Sequence, residues 1–447
     1  MPFRTSRLYL RTLQVVYDLV YILILLLGSP FVLVMLCVSR RWRAGLFQRF
    51  GFCPARAGDR PAVWIHGVSV GEVLAARELV TLIERELPGT EIVLSTTTWA
   101  AQEAAQRAYA GRQVFYYPLD FSFATHRVMN RIRPSLVLLM ELEIWPNFLL
   151  TASLHGVPVL LANGRMSARS RRDYRLLQFL IPEPMDRVAH YCVQTEEYAA
   201  RFRGVGVPPE RITITGSMKF DTVADGLPAD IAAQYGKRVG LAPGEVVLMG
   251  GSTHAGEESL LLDTYLDIRR RDPGARLILV PRFPERFEEV ESLVRARGLP
   301  CVRLSQASAD GPPPGTARDA VVVGDTVGEL TNLYAVADLV FVGGTLTRRG
   351  GQNMMEPAGL GKPVVVGPAT WNFRDPVELL LSRGGLVQAS GPAEVRAELL
   401  ALHADPVRRR LVGDRARSVC LESKGATRRI LDILSAYIPR TPMETPA

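Results

Sequence analysis

The chain has no CxxC pair, no HxH and no HExxH. Its five cysteines, Cys37, Cys53, Cys192, Cys301 and Cys420, are widely scattered. That argues against a disulfide framework or a thiolate zinc site and fits a reducing compartment. The six histidines lack metal-ligand spacing, so a histidine metal centre is not expected. Lysine is scarce beside arginine, and no RNA- or DNA-binding signature accompanies the net charge of +8. Nucleic acid is therefore the weaker reading of that charge, and phosphates or a membrane surface the stronger. Charged residues at 22% and hydrophobic residues at 47% exclude disorder over most of the length and leave room for two or three domains.

One long hydrophobic run is present. Residues 19–38 (LVYILILLLGSPFVLVMLCV) carry no charge and have about bilayer-spanning length. Arg4, Arg7 and Arg11 precede the run, and Arg40, Arg41 and Arg43 follow it. A signal peptide would have a shorter apolar core and a small-residue cleavage site. The run predicts a membrane-anchor helix, with Gly28-Ser29-Pro30 as a place for a kink or a shallow insertion. A buried core helix is the alternative. Arginines on both flanks leave the orientation undecided by the positive-inside rule.

Beyond the anchor, short apolar strands alternate with amphipathic helices. Strands are expected at 62–66, 91–95, 113–117, 135–140, 157–162, 191–194 and 212–215. A second set is expected at 246–250, 276–280, 320–323, 339–342 and 363–367. Continuous apolar strands separated by helices predict parallel sheets covered on both faces. Residues 221–243 break the rhythm and read as a linker, and 307–318 (ASADGPPPGTAR) reads as a loop. The expected division is an anchor and basic segment at 1–50, Rossmann-like domains at 51–225 and 226–437, and a disordered tail at 438–447. Two such domains facing a central cleft would bind ligands at the carboxyl ends of their strands.

Three motifs lie at expected strand ends. His66-Gly67-Val68-Ser69-Val70-Gly71-Glu72 opens a helix, and places Glu72 in the first turn, where it can serve as a general base. Ser69-x-x-Glu72 is equally a capping-box pattern. Met140-Glu141-Leu142-Glu143-Ile144-Trp145 sets two carboxylates after an apolar strand; a solvated loop end is the plainer reading. Residues 341–358 run strand, basic glycine-rich loop, helix start, with Gly344, Arg348, Arg349, Gly350, Gly351, Asn353 and Glu356. Backbone amides and arginines there predict an anion site, and Glu356 can bind a ribose diol. Asn353-x-x-Glu356 is again a possible cap. Ser252, Lys219 and Arg282 fall at further strand ends.

These segments together resemble the Kdo (3-deoxy-D-manno-octulosonic acid) transferase family of GT-B glycosyltransferases. The resemblance runs nearly end to end, through RRWRAGLFQRFGF, HGVSVGE, PSLVLLMELEIWPN, NGRMSARS, GSMKFD, VPRFPERF, GDTVGEL and the block at 343–368. It implies inverting, metal-independent transfer of Kdo from CMP-Kdo to a lipid A precursor (lipid IVA), with no cofactor beyond the donor. It implies Glu72 as base and Glu143, in preference to Glu141, as the second important acid. CMP would be held by Gly344, Arg348, Gly350, Gly351, Asn353 and Glu356, with Ser252 beside them and Arg282 and Lys219 facing the donor's charge. Arg165, Arg169, Arg171 and Arg172 can meet lipid phosphates or form a solvated face. The implied location is the inner membrane, with the catalytic domains on the cytoplasmic side, where nucleotide sugars are made. Phe283, Gln352 and Ala369 stand where the family usually has histidine; a paralogue with another nucleotide sugar, or a non-catalytic scaffold, is the alternative reading.

Overall fold

The computed structural model describes residues 6–176, 185–223 and 226–438. They pack as two units. The first runs to Thr222 and resumes at Lys424; the second is Val223–Ser423. The first unit holds a seven-stranded parallel sheet of β1 (Ala62–Gly67), β2 (Glu91–Thr96), β3 (Gln113–Tyr116), β4 (Leu136–Met140), β5 (Val159–Gly164), β6 (Val188–Val193) and β7 (Ile212–Ile214). The second holds β8 (Val247–Thr253), β9 (Arg276–Pro281), β10 (Cys301–Arg303), β11 (Val321–Val323), β12 (Leu339–Val342), β13 (Val364–Val366) and β14 (Val387–Gln388), again all parallel.

Strand order in the first sheet is β3-β2-β1-β4-β5-β6-β7, and in the second β10-β11-β9-β8-β12-β13-β14. In each, the order reverses beside a central strand, between β1 and β4 and between β8 and β12. That reversal is where a doubly wound sheet opens a ligand crevice. Every residue of β1 and β4 is buried, which accounts for their unbroken apolar sequences. Trp64 of β1 packs against Phe115 and Phe148 at centroid distances of 5.4 and 5.1 Å. The helix Arg77–Glu86 turns Leu79, Val80, Leu82 and Ile83 inward, at helical spacing.

The expected strands are all present. β10 and β14 were not expected, because edge strands of three and two residues leave too short a pattern to read. Within the supposed linker lies the helix Ile231–Arg238, held to the second unit by Tyr235 Oη and Arg238 Nη1, which donate to Glu329 at 2.8 and 2.7 Å. The expected boundary at 437 also gives way. Helix Ala426–Ser435 belongs to the first unit, where Ile430, Leu431 and Leu434 join the core of Leu79 and Ile83. Asp221 caps it, accepting from the amides of Gly425 and Thr427, both at 2.6 Å. Beyond Ile438 the expected disordered tail lies outside the described residues.

The N-terminal helix is continuous from Arg7 to Val38. Pro30 has no N–H to give the Leu26 carbonyl; the Ser29 hydroxyl donates to that carbonyl instead, at 2.8 Å, and the helix runs on through Gly28-Ser29-Pro30. Leu10, Gln14 and Tyr17 form one buried face against helices Ser122–Ile132 and Pro146–Leu154. From Ile22 onward no residue of the helix is buried, and Leu27 is 77% exposed, so the core-helix alternative fails. This bare stretch is about 25 Å long at 1.5 Å per residue, near the thickness of a bilayer's hydrocarbon core.

Replacing Asp221 with alanine removes two cap acceptors from the C-terminal helix. The first unit is expected to lose about 1–2 kcal/mol, read as a lower urea midpoint with unchanged slope.

Candidate active site

The loops after β1 and β4 flank the first strand-order reversal. Gly67 ends β1 because a Cβ there would come within 3.3 Å of Glu72 Cβ and the Val73 amide. Ser69 then caps the helix Val70–Ala75, and a complete capping box forms with Glu72. Glu72 Oε2 accepts from the Val68 amide at 2.9 Å. Its Oε1 accepts from the Ser69 amide at 3.2 Å and the Ser69 hydroxyl at 2.6 Å. The cap and the crevice-edge carboxylate are thus one side chain. A carboxylate offers about four acceptor sites, so roughly one stays open.

Glu141 follows β4 with φ at 59°, a left-handed conformation rare for a non-glycine residue and found mainly where the surroundings impose it. Its amide donates to the Ala162 carbonyl at 2.9 Å, and its carboxylate pairs with Arg165 Nε at 2.7 Å. Arg165 is therefore committed to Glu141. Arg169 and Arg172 both lie 3.8 Å from Asp173. Glu143 accepts from Trp145 Nε1 at 2.7 Å. Burial, followed by the charges of Glu72 and Glu141, pushes its carboxyl up to about 7. Burial also raises Glu141, against the charges of Arg165 and Lys219. The three carboxylates thus act on one another, and Lys219, in the first unit as its position in the chain implied, adds its charge at Glu141.

Sequence reasoning passed over three residues here. His66 is fully buried and stacks on Tyr117, with ring centroids 3.8 Å apart. Burial lowers its pKa to about 3, so the ring is neutral. Asn163, the last residue but one of β5, has φ at 54°, and its Oδ1 accepts from the Met218 amide at 3.1 Å, tying in the segment that carries Lys219. Asp120 is buried at the start of helix Pro146–Leu154, accepting from the amides of Asn147 and Phe148 at 3.0 and 2.7 Å. His66 opened a motif already noted at a strand end and Asn163 had an Asn-Gly pair as a local signal, though neither was given a role; Asp120 had no such signal.

In the second unit the loops after β8 and β12 approach so closely that a Cβ on Gly343 would lie 2.3 Å from the Ser252 carbonyl oxygen. Ser252 has φ at 53°. Buried Glu257 closes the loops, accepting from the amides of His254, Gly344 and Leu346 at 2.8, 2.9 and 3.1 Å. The Gly344 amide, expected to meet a phosphate, is therefore already satisfied by a protein carboxylate. Gly350 and Gly351, with φ of 81° and 83°, turn the loop back, and the Gly351 and Gln352 amides donate to Gly344 and Gly343 at 3.0 and 3.1 Å.

Arg282 Nε donates to Gln352 Oε1 at 3.1 Å, and Gln352 Nε2 lies 3.3 Å from His254 Nε2. Phe283 meets the His254 ring edge-on. Burial lowers the His254 pKa, and Arg349, Arg286 and Arg282 press it the same way. Arg286 is engaged by Glu258 and Glu289; Arg348 and Arg349 are exposed beside this cluster. The Asn353 capping box does not form, because Met354 is the N-cap of helix Met355–Gly359. Instead Asn353 Nδ2 donates to Glu356 Oε1 at 2.8 Å and Thr331 Oγ1 to Glu356 Oε2 at 3.0 Å. Ala369 is buried, its amide donating to the Thr345 carbonyl at 3.0 Å.

A family model described as 3-deoxy-D-manno-octulosonic-acid transferase (kdotransferase) matches residues 44–222. The chain is 32% identical over 434 residues to the 3-deoxy-D-manno-octulosonic acid transferase of Haemophilus influenzae, covering 94% of this chain and 98% of that one. To the enzyme of the same name from Bordetella pertussis it is 36% identical over 410 residues, covering 89% and 93%. Among solved structures, Acinetobacter baumannii MurG superposes with a TM-score of 0.52 at 15% identity, covering 85% of this chain and 100% of that one; that likeness shows the fold.

The raised Glu143 carboxyl has a stability signature. The folded state binds its proton more tightly than the unfolded chain. Its contribution is therefore present below about pH 4.5 and lost as pH rises through about 7. Glu143→Gln removes this dependence. Relative to the unsubstituted protein, the variant is expected to gain about 2 kcal/mol between pH 5 and 8, measured by urea denaturation at both pH values.

Proposed function

Because the chain belongs to the 3-deoxy-D-manno-octulosonic acid (Kdo) transferase family, we propose that it moves Kdo from CMP-Kdo to a hydroxyl of a membrane-borne lipid A precursor, in the inner core of lipopolysaccharide. The observation that carries this reading is identity of 32–36% along almost the whole chain to transferases of that name. The sites at both strand-order reversals support it.

In the proposed reaction the acceptor oxygen attacks the anomeric carbon, the bond from that carbon to the phosphate oxygen breaks, and CMP leaves. Glu72 takes the acceptor proton through its open acceptor site. Its three donors hold the carboxylate aimed while that proton moves. Glu143, near half-protonated at neutral pH by its pKa of about 7, can accept from or donate to a neighbouring acceptor hydroxyl. Arg282, Arg348 and Arg349 would meet the charge that grows on the leaving phosphate. Those side chains, rather than the Gly344 amide, are the proposed phosphate ligands. Ser252, Gly350 and Gly351 shape the loops, and Asn353 with Glu356 offers the polar edge for the ribose. We assign no metal and no cofactor to the step.

The bare apolar stretch of the N-terminal helix supports attachment to the membrane that carries the acceptor. The cytoplasmic face is proposed because nucleotide-activated sugars are cytosolic. Phe283 and Gln352 at the donor loops favour one second reading, a transferase for a different nucleotide sugar.

Purified full-length protein with CMP-Kdo and a tetraacyl disaccharide phosphate should yield Kdo addition by mass spectrometry, unaffected by chelator. Absence of product where a control transferase succeeds overturns the assignment. Glu72→Gln is expected to lower turnover about 10²–10⁴-fold with the fold retained. CMP should raise the melting temperature more than UDP or GDP; the reverse order selects the second reading.

A further inference from the structure

The N-terminal helix carries a polar stripe that membrane insertion does not call for. Gln14, Asp18 and Tyr21 stand at helical spacing on one face, and every one reaches the first unit. Gln14 Nε2 donates to Thr151 Oγ1 at 2.8 Å. Asp18 Oδ1 accepts from the Ser122 amide at 2.9 Å and from Asn147 Nδ2 at 2.8 Å, and its Oδ2 accepts from the Ser122 hydroxyl. Tyr21 Oη donates to Asp120 Oδ2 at 2.8 Å.

These contacts replace missing caps. Helices Ser122–Ile132 and Pro146–Leu154 have Phe121 and Trp145 as N-caps, and neither makes a side-chain cap bond. Their first-turn amides need acceptors from elsewhere. Asp18 supplies one for the first helix, and Asp120 supplies both oxygens to the second. Asn147 links the two acids: its side chain donates to the Asp18 carboxylate and to the Asp120 main-chain carbonyl, the latter at 2.7 Å, while its own amide donates to the Asp120 carboxylate. Helix Pro146–Leu154 begins three residues after Glu143, and Trp145, its N-cap, donates to Glu143.

Resting on the proposed Kdo transfer, we infer that Asp18 and Tyr21 are positioning residues for Glu143. They act through Asp120 and Asn147, so the docked half of the membrane helix sets the geometry of a carboxylate in the active site.

The test uses the full chain in lipid nanodiscs. Tyr21→Phe removes one hydroxyl and no packing volume to speak of; Asp18→Asn is the second variant, and Leu27→Ala on the bare stretch is the control. Tyr21→Phe is expected to lower kcat about tenfold, the loss of one buried hydrogen bond, with KM for CMP-Kdo unchanged. Hydrogen exchange at the Asn147 and Phe148 amides should quicken by a similar factor, and Asp18→Asn should act in the same direction. Leu27→Ala should change neither. Unchanged exchange in both variants overturns the inference whether or not Kdo is transferred. Faster exchange with unchanged kcat overturns it too, leaving the contacts merely structural. If the unsubstituted protein transfers no Kdo yet exchange quickens, the link from helix to loop stands and the assigned reaction falls.

Discussion

The reversal of strand order beside β1 and β8 is the constraint on which both sites depend. On one side of each central strand the crossovers step outward in one direction, and on the other side they step the opposite way. The loops leaving the carboxyl ends of the two adjacent strands must therefore diverge, and the gap between them cannot be filled by a crossing helix. Glu72, Glu141 and Glu143 are brought together because they follow β1 and β4, whose pairing sets His66 beside Leu139. Ser252, His254 and the Gly343–Gly344 turn are brought together by the matching pair β8 and β12, where Val342 stands beside Gly251.

Acidic side chains do most of the local ordering at these edges. Glu72, Asp120, Asp221 and Glu257 each accept from two or three donors at a turn or helix start. Glu72 shows that a cap and the proposed catalytic carboxylate need not be rival explanations, since the bonds that satisfy the helix amides also fix the direction of the remaining lone pair. Glu257 shows the opposite outcome. By taking the Gly344 and Leu346 amides it fills an apparent anion nest with a carboxylate of the protein itself. The N-terminal helix is bound by the same logic. Its apolar stretch is free of the protein, while Asp18 and Tyr21 complete the capping of the unit it docks on.

Much of this was legible in the order of residues. Strand positions follow from apolar runs of four to six residues bounded by glycine or polar turns, and the motifs at 66–72 and 140–147 fall at strand ends where they were expected. β10 and β14 were not legible, because Cys-Val-Arg and Val-Gln hold too few apolar residues to make a run, whereas the other two edge strands, β3 and β7, were expected. Nor was the return of the C-terminal helix to the first unit: its amphipathic sequence states that it needs a partner surface and not which one. Asp120 was missed because a cap supplied from 27 residues away has no local spacing.

The sequence by itself determined the family, the two alternating α/β sets, the long apolar N-terminal helix and the carboxylates and arginines at strand ends, since each is a matter of periodicity, composition or motif along one chain. The tertiary structure alone decided which donors those groups meet. It assigned the Gly344 amide to Glu257 and Arg165 to Glu141, raised Glu143 by burying it beside two like charges, and carried the N-terminal helix's Tyr21 to Asp120. Hydrogen bonds and desolvation act over a few ångströms in space, between residues that the chain may separate by a hundred positions.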